Sequence, residues 1–309
     1  MFELTVSVII GLVQGITEFL PISSTAHNFL ISKLLTKEID LEISNIIQLG
    51  TLIAIIQFYW SDLSVFGKRL IEIISKPKEA KIFVNNIKTW WKDDKIDDKE
   101  IATLPVNLST DSTIFQLIIA TIPITIIGLT MRSVANNLRS LVWIGFFLIV
   151  GAILLAIADW YYKNNKTKKV VILDKMNVIT IGIFQAFAIF PGMSRSGSTL
   201  AGSYFIGVQK DTAIRFAFLL SIPSIGLAGI TDLFSFIKKS SKSLTLLPDN
   251  NPTTFSFLSV IVGTFVAYFV GLICLRWLLK YLAKHDFNLF IWYRLVLGFL
   301  LIILAGMKL

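Results

Sequence analysis

The sequence has little charge and almost no cysteine. Only 16% of its 309 residues are charged, whereas about a quarter are charged in a typical soluble domain. The one cysteine, Cys274, excludes an intrachain disulfide and offers no cysteine cluster for a metal or a redox centre. Acidic residues are fewer than basic residues, 20 against 29. These shortages argue against a soluble globular domain and against thiol redox chemistry.

Apolar residues take the place of the missing charge. They make up 54% of the chain, and several apolar segments approach or exceed the ~20 residues that a helix needs to cross a bilayer. We therefore predict an all-α polytopic membrane protein. The formal net charge of +9 then indicates basic loops facing anionic lipid and no nucleic-acid partner. Because Glu3 stands where a signal peptide is basic, no cleavable signal is expected.

The apolar segments divide into unbroken and broken ones. Two segments are interrupted, the first at Pro21 and the second at Pro191-Gly192, and each half is too short to span. We interpret them as re-entrant helix-loop-helix hairpins over residues 4–35 and 177–208. The unbroken segments predict six transmembrane helices, over residues 44–60, 113–131, 141–162, 212–236, 255–279 and 289–306.

The order of these elements predicts an inverted-topology repeat within a single integral membrane domain, 1–309. The first repeat, 1–162, and the second, 177–309, each contain one hairpin followed by three spans. Three is an odd number, so the second half must be inverted and the two hairpin tips should meet near the midplane. The sequence similarity between the halves is faint, Pro21-x-x-Ser24 against Pro191-x-x-Ser194.

One face of this topology is richer in basic loops. It carries the insert loop 61–112 and the linker 163–175. The positive-inside rule places that face in the cytoplasm and the mouth of the first hairpin outside. Within the insert loop, apolar residues recur at helical spacing between lysines and predict an amphipathic helix on the membrane surface; they are Ile82, Phe83, Ile87, Trp90 and Trp91.

The first hairpin carries a dense group of polar side chains around its proline. These are Gln14, Glu18, Ser23, Ser24, Thr25 and His27. Such groups cannot face hydrocarbon unless they line a protein-walled or watered cavity, so a functional site is the favoured interpretation. The alternative is an external loop whose hydroxyls cap the next helix.

The second hairpin carries an arginine among hydroxyls and glycines at the start of a half-helix. Its residues are Ser194, Arg195, Ser196 and Thr199. Backbone N–H groups at a helix N-terminus and a guanidinium fork favour phosphate oxygens over a neutral ligand. The pattern therefore predicts an anion site, the alternative being a structural arginine that pairs with a helix end.

The two tips together predict hydrolysis of a phosphate ester or anhydride. Arg195 and the hydroxyls would hold the phosphate, His27 and Glu18 would handle protons, and a serine or an activated water would attack phosphorus. Ser24 and His27 are three residues apart, so one helical turn would place them on a common face. Gln14 and Glu18, four apart, could also hold a divalent cation through oxygen.

These motifs resemble those of the BacA-type undecaprenyl pyrophosphate phosphatases. One motif is Glu/Gln-x-x-x-Glu, here Gln14 to Glu18, continued by Phe-Leu-Pro-Ile-Ser-Ser-Thr-Ala-His27. The other is Pro-Gly-x-Ser-Arg-Ser-x-x-Thr, here Pro191 to Thr199. The resemblance extends over almost the whole apolar chain. Gln14 departs from the pattern, because many members carry glutamate there.

The resemblance implies a substrate and a location. Members of the family convert undecaprenyl pyrophosphate to undecaprenyl phosphate in the bacterial cell membrane, at a site open to the outer face, and depend on Mg²⁺ or Ca²⁺. They recycle the lipid carrier of cell-wall synthesis and confer bacitracin resistance. If the family motif is applied to this sequence, the cation would lie at Glu18 and Gln14.

The resemblance also implies residue roles. Ser24 would be the nucleophile, with Ser23 as a rival, His27 its proton acceptor, Glu18 a proton or metal partner and Arg195 the diphosphate clamp. The phosphate would be bound by Ser23, Thr25, Ser194, Ser196 and Thr199.

A transporter is the alternative from another functional class. Half-helices that meet at the midplane also occur in secondary transporters, and a polyprenyl-phosphate flippase could hold a headgroup with the same arginine. A flippase has no need of a nucleophile with a proton acceptor, which favours the enzyme. The choice between a phosphoserine and direct attack by water stays open, as does the oligomeric state, a homodimer included.

Overall fold

The computed structural model describes residues 2–35, 41–92, 106–165, 173–243 and 256–307, and every regular element in these ranges is helical. A 3₁₀ turn, Phe187–Ile189, follows the eighth α-helix. The helices are α1 Phe2–Thr17, α2 Ser24–Leu35, α3 Leu41–Phe58, α4 Trp60–Ser75, α5 Pro77–Lys92, α6 Val106–Asn137, α7 Leu141–Asn164, α8 Lys175–Ala186, α9 Arg195–Phe205, α10 Lys210–Ser243, α11 Phe257–Lys284 and α12 Asn288–Gly306. The predicted all-helical class is confirmed for this part of the chain.

Within the described residues, five helices are long and apolar enough to cross a bilayer. They lie at Thr110–Met131, Leu141–Asn164, Lys210–Lys238, Phe257–Lys284 and Asn288–Gly306. A sixth candidate is formed by α3 and α4 together, which bend by 85° at their junction. The protein is therefore a multi-pass membrane protein, with five or six candidate spans in the described ranges.

The junction of α3 and α4 differs from the prediction. The sequence predicted a single span over 44–60 followed by a loop, whereas the structure ends α3 at Phe58 and continues as a second helix. Tyr59 leaves helical geometry, with φ −98° and ψ 25°. Leu63 and Phe66 then pack α4 against the hydrophobic core, so the start of the insert loop is an ordered helix.

The predicted amphipathic helix of the insert loop is present as α5, but one side of it packs on protein. Trp90 is buried, its ring lies edge-on to Phe115 at 5.6 Å, and its indole N–H donates to the Leu173 carbonyl. The buried Arg69 on α4 donates to Asp111 on α6 at 2.7 and 3.0 Å. The helices α4 and α5 are thus tied to α6, while residues 93–105 of the insert loop lie outside the described ranges.

The two predicted breaks are confirmed. The first hairpin consists of α1 and α2, separated by six residues around Pro21, and the second of α8 and α9, separated around Pro191. These four helices have only 16, 12, 12 and 11 residues. Each is shorter than the ~20 residues of a full span, as the proline breaks require.

Close helix packing holds the hairpins in the bundle. The helix α1 packs along α11, where a Cβ atom at Gly11 would lie only 2.3 Å from the Gly263 carbonyl oxygen. Only glycine allows this approach, as is typical of helix contacts in membranes. The helix α7 packs in the same way along α12, the helix that carries two further residues of the site.

Contacts between loops join segments that the topology places on one face. Lys163 at the end of α7 contacts Asp286 at 2.8 Å in the α11–α12 loop. This hydrogen bond holds the pKa of the Asp286 carboxyl below its usual range. Lys210 at the start of α10 donates to the His285 carbonyl in the same loop. These contacts bring the end of α7 and the start of α10 to the α11–α12 loop.

Candidate active site

The two hairpin turns end in the same local geometry. Ser23 and Ser194 are the two residues other than glycine with positive φ in the described chain, at 73° and 66°. Each caps the next half-helix, since Ser23 accepts from Ala26 N–H and Ser194 from Gly197 N–H. The structural equivalent of Ser194 is therefore Ser23. The sequence match of Ser24 with Ser194 was one residue out of register.

The tips of the two hairpins meet at a cavity of about 150 Å³. The half-helices α2 and α9 both begin there, so two positive helix ends face the same space. The cavity also reaches α3, α6 and α10. Its polar lining is Glu18, Ser23, Ser24, Thr25, Gln48, Ser194, Arg195 and Ser224, and its apolar lining is Ile124, Ala188, Phe190, Ile225 and Ala228.

Glu18 is the centre of the polar lining, and four side chains from four helices donate to its carboxylate. One oxygen, Oε2, accepts from Gln14 at 2.5 Å and from the Ser24 hydroxyl at 2.8 Å. The other, Oε1, accepts from Gln48 at 2.8 Å and from Arg195. The Glu18 residue is only 5% exposed. Glu18 thus links both hairpins to α3, and its charge is balanced by Arg195.

Arg195 is held from two sides. Its Nη1 donates to the Ser221 carbonyl at 2.9 Å and to the Ser224 hydroxyl at 3.0 Å, and its Nη2 contacts Glu18. A guanidinium has five N–H groups. The N–H on Nε and the second N–H on Nη2 therefore have no partner among the described residues. A pair of this kind can grip two oxygens of a phosphate.

The predicted cation ligands do not form a preformed metal site. The Gln14 carbonyl oxygen accepts from the Asn28 amide while the Gln14 amide donates to Glu18. A carboxylate has about four acceptor positions, and protein donors occupy four on Glu18. Among the described residues there is also no group of three or more His, Cys, Asp or Glu side chains placed to hold a metal. Gln14 and Glu18 therefore do not fit a bound Mg²⁺ or Ca²⁺ as they stand.

His27 does not occupy the predicted position beside Ser24. Its Nδ1 lies 2.8 Å from the Ser23 carbonyl oxygen, and its Nε2 lies 2.6 Å from the Tyr293 hydroxyl. The two rings are stacked with their centroids 5.6 Å apart. Because a carbonyl only accepts, Nδ1 carries a proton and Nε2 faces Tyr293. Ser24 and His27 lie three residues apart in α2 as predicted, but the Ser24 hydroxyl donates to Glu18 and not to His27.

The predicted phosphate ligands divide into two groups. Ser23, Thr25 and Ser194 line the cavity. Ser196 and Thr199 do not line the cavity. The Ser196 hydroxyl donates to the Leu20 carbonyl, and the Thr199 hydroxyl donates to the Arg195 carbonyl at 2.8 Å. The Ser196 bond joins the two hairpin turns, and the Thr199 bond lies within the first turn of α9.

Three lining or supporting residues were missed by the sequence analysis. Gln48 and Ser224 line the cavity. Gln48 donates to Glu18, and Ser224 accepts from Arg195. Tyr293 on α12 holds His27. Gln48 had a usable signal, since it is polar within an apolar segment. Tyr293 had none, because a tyrosine in a membrane helix is unremarkable in sequence.

Arg294, next to Tyr293, joins the two hairpin turns and was also missed. It is completely buried and donates to Pro21 O at 3.4 Å, Gly192 O at 3.2 Å and Met193 O at 2.8 Å. A Cβ atom at Gly151 would lie 1.9 Å from Nη2, so the guanidinium needs a glycine beside it. The rule that flags charged residues in membrane segments applies to Arg294 as it did to Arg195.

Replacing Arg294 with methionine is expected to destabilise the protein. The change removes the donors from three backbone carbonyls in the turns, and a buried polar group left without its partner costs about 1–3 kcal/mol. We expect the free energy of unfolding in detergent to fall by about 2–3 kcal/mol. Arg276→Met, the same change at an exposed arginine of α11, is the matched control. Equal stability of both variants would show that Arg294 does not hold the turns.

The chain matches a known family over nearly its whole length. Residues 7–300 match the family model described as bacitracin resistance protein BacA. The chain is 34% identical to an undecaprenyl-diphosphatase of Chlorobium limicola, with 97% of each chain covered. It is 33% identical to one of Trichodesmium erythraeum, covering 96% of this chain and 84% of the relative. It is 31% identical to one of Renibacterium salmoninarum, covering 96% and 94%. The chain therefore belongs to the BacA family of bacitracin resistance proteins.

Proposed function

We propose that this protein hydrolyses undecaprenyl pyrophosphate to undecaprenyl phosphate and inorganic phosphate. It thereby recycles the lipid carrier of cell-wall synthesis and confers bacitracin resistance. The relatives named undecaprenyl-diphosphatase support this activity. The observation that carries the proposal is a hydroxyl beside its proton acceptor, Ser24 on Glu18, in a cavity that also holds Arg195.

The terminal phosphate of the substrate binds between the two helix ends. The free N–H groups on Nε and Nη2 of Arg195 bind two of its oxygens. The N-termini of α2 and α9 add positive potential, and Ser23, Thr25 and Ser194 offer hydroxyls along the same wall. Such donors stabilise the charge that develops on phosphate in the transition state.

Ser24 attacks phosphorus in this proposal. Its oxygen forms a bond to the terminal phosphorus, its proton passes to Glu18, and the bridging P–O bond breaks to release undecaprenyl phosphate. Water then attacks the phosphoserine, the Ser–O–P bond breaks, and Glu18 returns the proton to Ser24 as inorganic phosphate leaves. The proton from that water leaves with the phosphate. Glu18 takes the role that the sequence analysis gave to His27.

His27 acts as a positioning residue in this scheme. It bonds the Ser23 carbonyl on one side and Tyr293 on the other, so it fixes the turn that carries Ser24. A divalent cation, Mg²⁺ or Ca²⁺, would be held by the diphosphate of the substrate and not by Gln14 or Glu18, and it would neutralise part of the phosphate charge there. Glu18 has no free acceptor position for it.

We also propose an arrangement of the helices in the membrane. Six spans and two re-entrant hairpins, in inverted repeats 1–162 and 177–309, place both half-helix N-termini at one cavity near the midplane. This layout supports a site that opens to the outer face of the bacterial plasma membrane, with the insert loop 61–112 in the cytoplasm. The bent pair of α3 and α4 would supply the sixth span.

Product analysis tests the proposed function. Purified protein in detergent with Mg²⁺ is incubated with undecaprenyl pyrophosphate, and phosphate and lipid products are quantified together. We expect one inorganic phosphate for each undecaprenyl phosphate formed. The same protein in liposomes provides the comparison with a flippase. Movement of the lipid across the bilayer without phosphate release would overturn the hydrolase and favour transport.

A further inference from the structure

A buried asparagine lies next to the residues of the proposed reaction without lining the cavity. Asn28 is in the second turn of α2, and the residue is only 5% exposed. It is absent from the cavity wall, so it does not contact a phosphate bound there. A buried amide needs a hydrogen-bond partner. The partner of Asn28 therefore indicates what this side chain does.

Two side-chain bonds join the helices of the first hairpin. Ser24 and Asn28 are four residues apart in α2. Gln14 and Glu18 are also four apart, and the Glu18 N–H donates to the Gln14 carbonyl at 3.0 Å as in a helix. Residues four apart share a helix face. Ser24 donates to Glu18 at 2.8 Å, and Asn28 donates to Gln14 at 2.5 Å, so the two pairs face each other.

The direction of the Gln14 bonds is fixed by the charge on Glu18. An ionised carboxylate only accepts hydrogen bonds, so Gln14 must turn its NH₂ group to Glu18, as it does. The Gln14 oxygen then points away from Glu18, and it is buried because Gln14 is only 2% exposed. Asn28 supplies the N–H that this oxygen accepts. Without a donor at position 28, the Gln14 amide would be free to turn its oxygen toward Glu18, where two acceptors repel each other.

The Asn28 amide is unfavourable for packing alone. Its Oδ1 atom is buried and has no hydrogen-bond partner in the described part of the chain. A buried oxygen without a partner lowers stability, and an apolar side chain of similar size, such as leucine, would avoid that cost. The N–H that Asn28 donates to Gln14 is therefore the useful half of this amide.

The chain of bonds from Asn28 ends at the atom that takes the proton in the proposed reaction. Gln14 and Ser24 donate to the same oxygen of Glu18, Oε2. The Gln14 bond holds this oxygen in the position where it accepts from Ser24. Gln14 does not line the cavity either, so both amides act on Glu18 from the side away from the phosphate.

We propose that Asn28 is a positioning residue for the hydrolysis. It fixes the direction of the Gln14 amide, and Gln14 in turn holds the Glu18 oxygen that accepts the Ser24 proton. Because Asn28 acts through Gln14, its loss slows the chemical step and leaves the binding of phosphate by Arg195 in place. The inference rests on the proposed function and adds a residue of α2 to it.

A double-mutant cycle tests this role, with kcat and KM measured for undecaprenyl pyrophosphate. We expect Asn28→Leu to lower kcat about tenfold and to leave KM within about twofold, since one hydrogen bond that supports a charged group is lost. Gln14→Leu should lower kcat by at least as much. In the Gln14→Leu background, Asn28→Leu should change kcat by less than about twofold, because the residue that it acts through is gone. A further loss of about tenfold in that background would overturn the role.

Asn45→Leu is the matched control. It is the same change at a half-buried asparagine of α3 that donates to Asp232 and does not line the cavity, and it should keep kcat within about twofold of wild type. Circular dichroism and size-exclusion elution show whether each variant is folded. Asn28→Ala lacks the same donor, should show the same loss of kcat, and replaces Asn28→Leu if the leucine variant does not fold.

The outcomes separate this role from the proposed function. An active wild type whose kcat is unchanged by Asn28→Leu would overturn the role of Asn28 and keep the hydrolase. A wild type that releases no phosphate would reject the hydrolase and the role of Asn28 with it.

Discussion

Replacing Ser24 with alanine is expected to lower kcat for phosphate release by at least about 10³-fold. Ser24 is the hydroxyl in the cavity that donates to a carboxylate, at 2.8 Å from Glu18. Alanine removes the attacking oxygen and leaves the start of α2 and the donors of Arg195 in place. KM should therefore change little, because the phosphate is bound mainly by groups that remain. Steady-state kinetics with undecaprenyl pyrophosphate measure both values.

Two neighbouring variants control for Ser24→Ala. Ser23→Gly removes the rival hydroxyl while glycine accepts the positive φ of 73° and caps a helix well. Thr25→Val removes the next hydroxyl with little change of shape. We expect both to keep kcat within about tenfold of wild type, since one lost neutral hydrogen bond costs roughly 1 kcal/mol. If Ser23→Gly is inactive while Ser24→Ala is active, Ser23 is the nucleophile.

Replacing Glu18 with glutamine is expected to lower kcat/KM by about 10³-fold. The variant loses the proton acceptor of Ser24 and the negative partner of Arg195. Glutamine has nearly the same shape, but its NH₂ group cannot accept, so two of the four donors around this position lose their acceptor.

Glu72→Gln is the matched control for Glu18→Gln. It is the same change at a half-exposed carboxylate of α4 and should leave the rate unchanged. Circular dichroism and size-exclusion elution confirm that both variants are folded. A Glu18→Gln variant that keeps its rate within fivefold would remove Glu18 from the proposed chemistry.

The sequence predicted the parts of the site that depend on a residue and its immediate neighbours in the chain. Pro21 and Pro191 break their helices because proline cannot continue the backbone ladder, and the structure confirms both breaks. Glu18 and Arg195 are charged groups in apolar surroundings, which require a partner. The structure pairs them with each other.

The parts that depend on backbone geometry or on distant helices could not be predicted. Helical spacing put Ser24 and His27 on one face of α2, but it could not show that the Ser24 hydroxyl donates to Glu18, which lies outside that helix. Tyr293, 266 residues from His27 in sequence, then takes the imidazole. The bend after Phe58 depends on Tyr59 and on core contacts of α4, for which the apolar pattern has no signature.

A double-mutant cycle between the two hairpin tips tests directly whether they form one catalytic site. Glu18→Gln in the first turn is combined with Arg195→Lys in the second, and kcat/KM for undecaprenyl pyrophosphate is measured for wild type, both single variants and the double variant. Lysine keeps the charge but not the two-pronged grip, so Arg195→Lys alone should lose about 10²-fold. Residues of one catalytic unit have strongly non-additive effects. If both tips form one catalytic site, the double variant should be close to Glu18→Gln alone, with a loss of about 10³-fold. A loss of about 10⁵-fold, the product of two independent effects, would contradict a single site built from both halves of the chain.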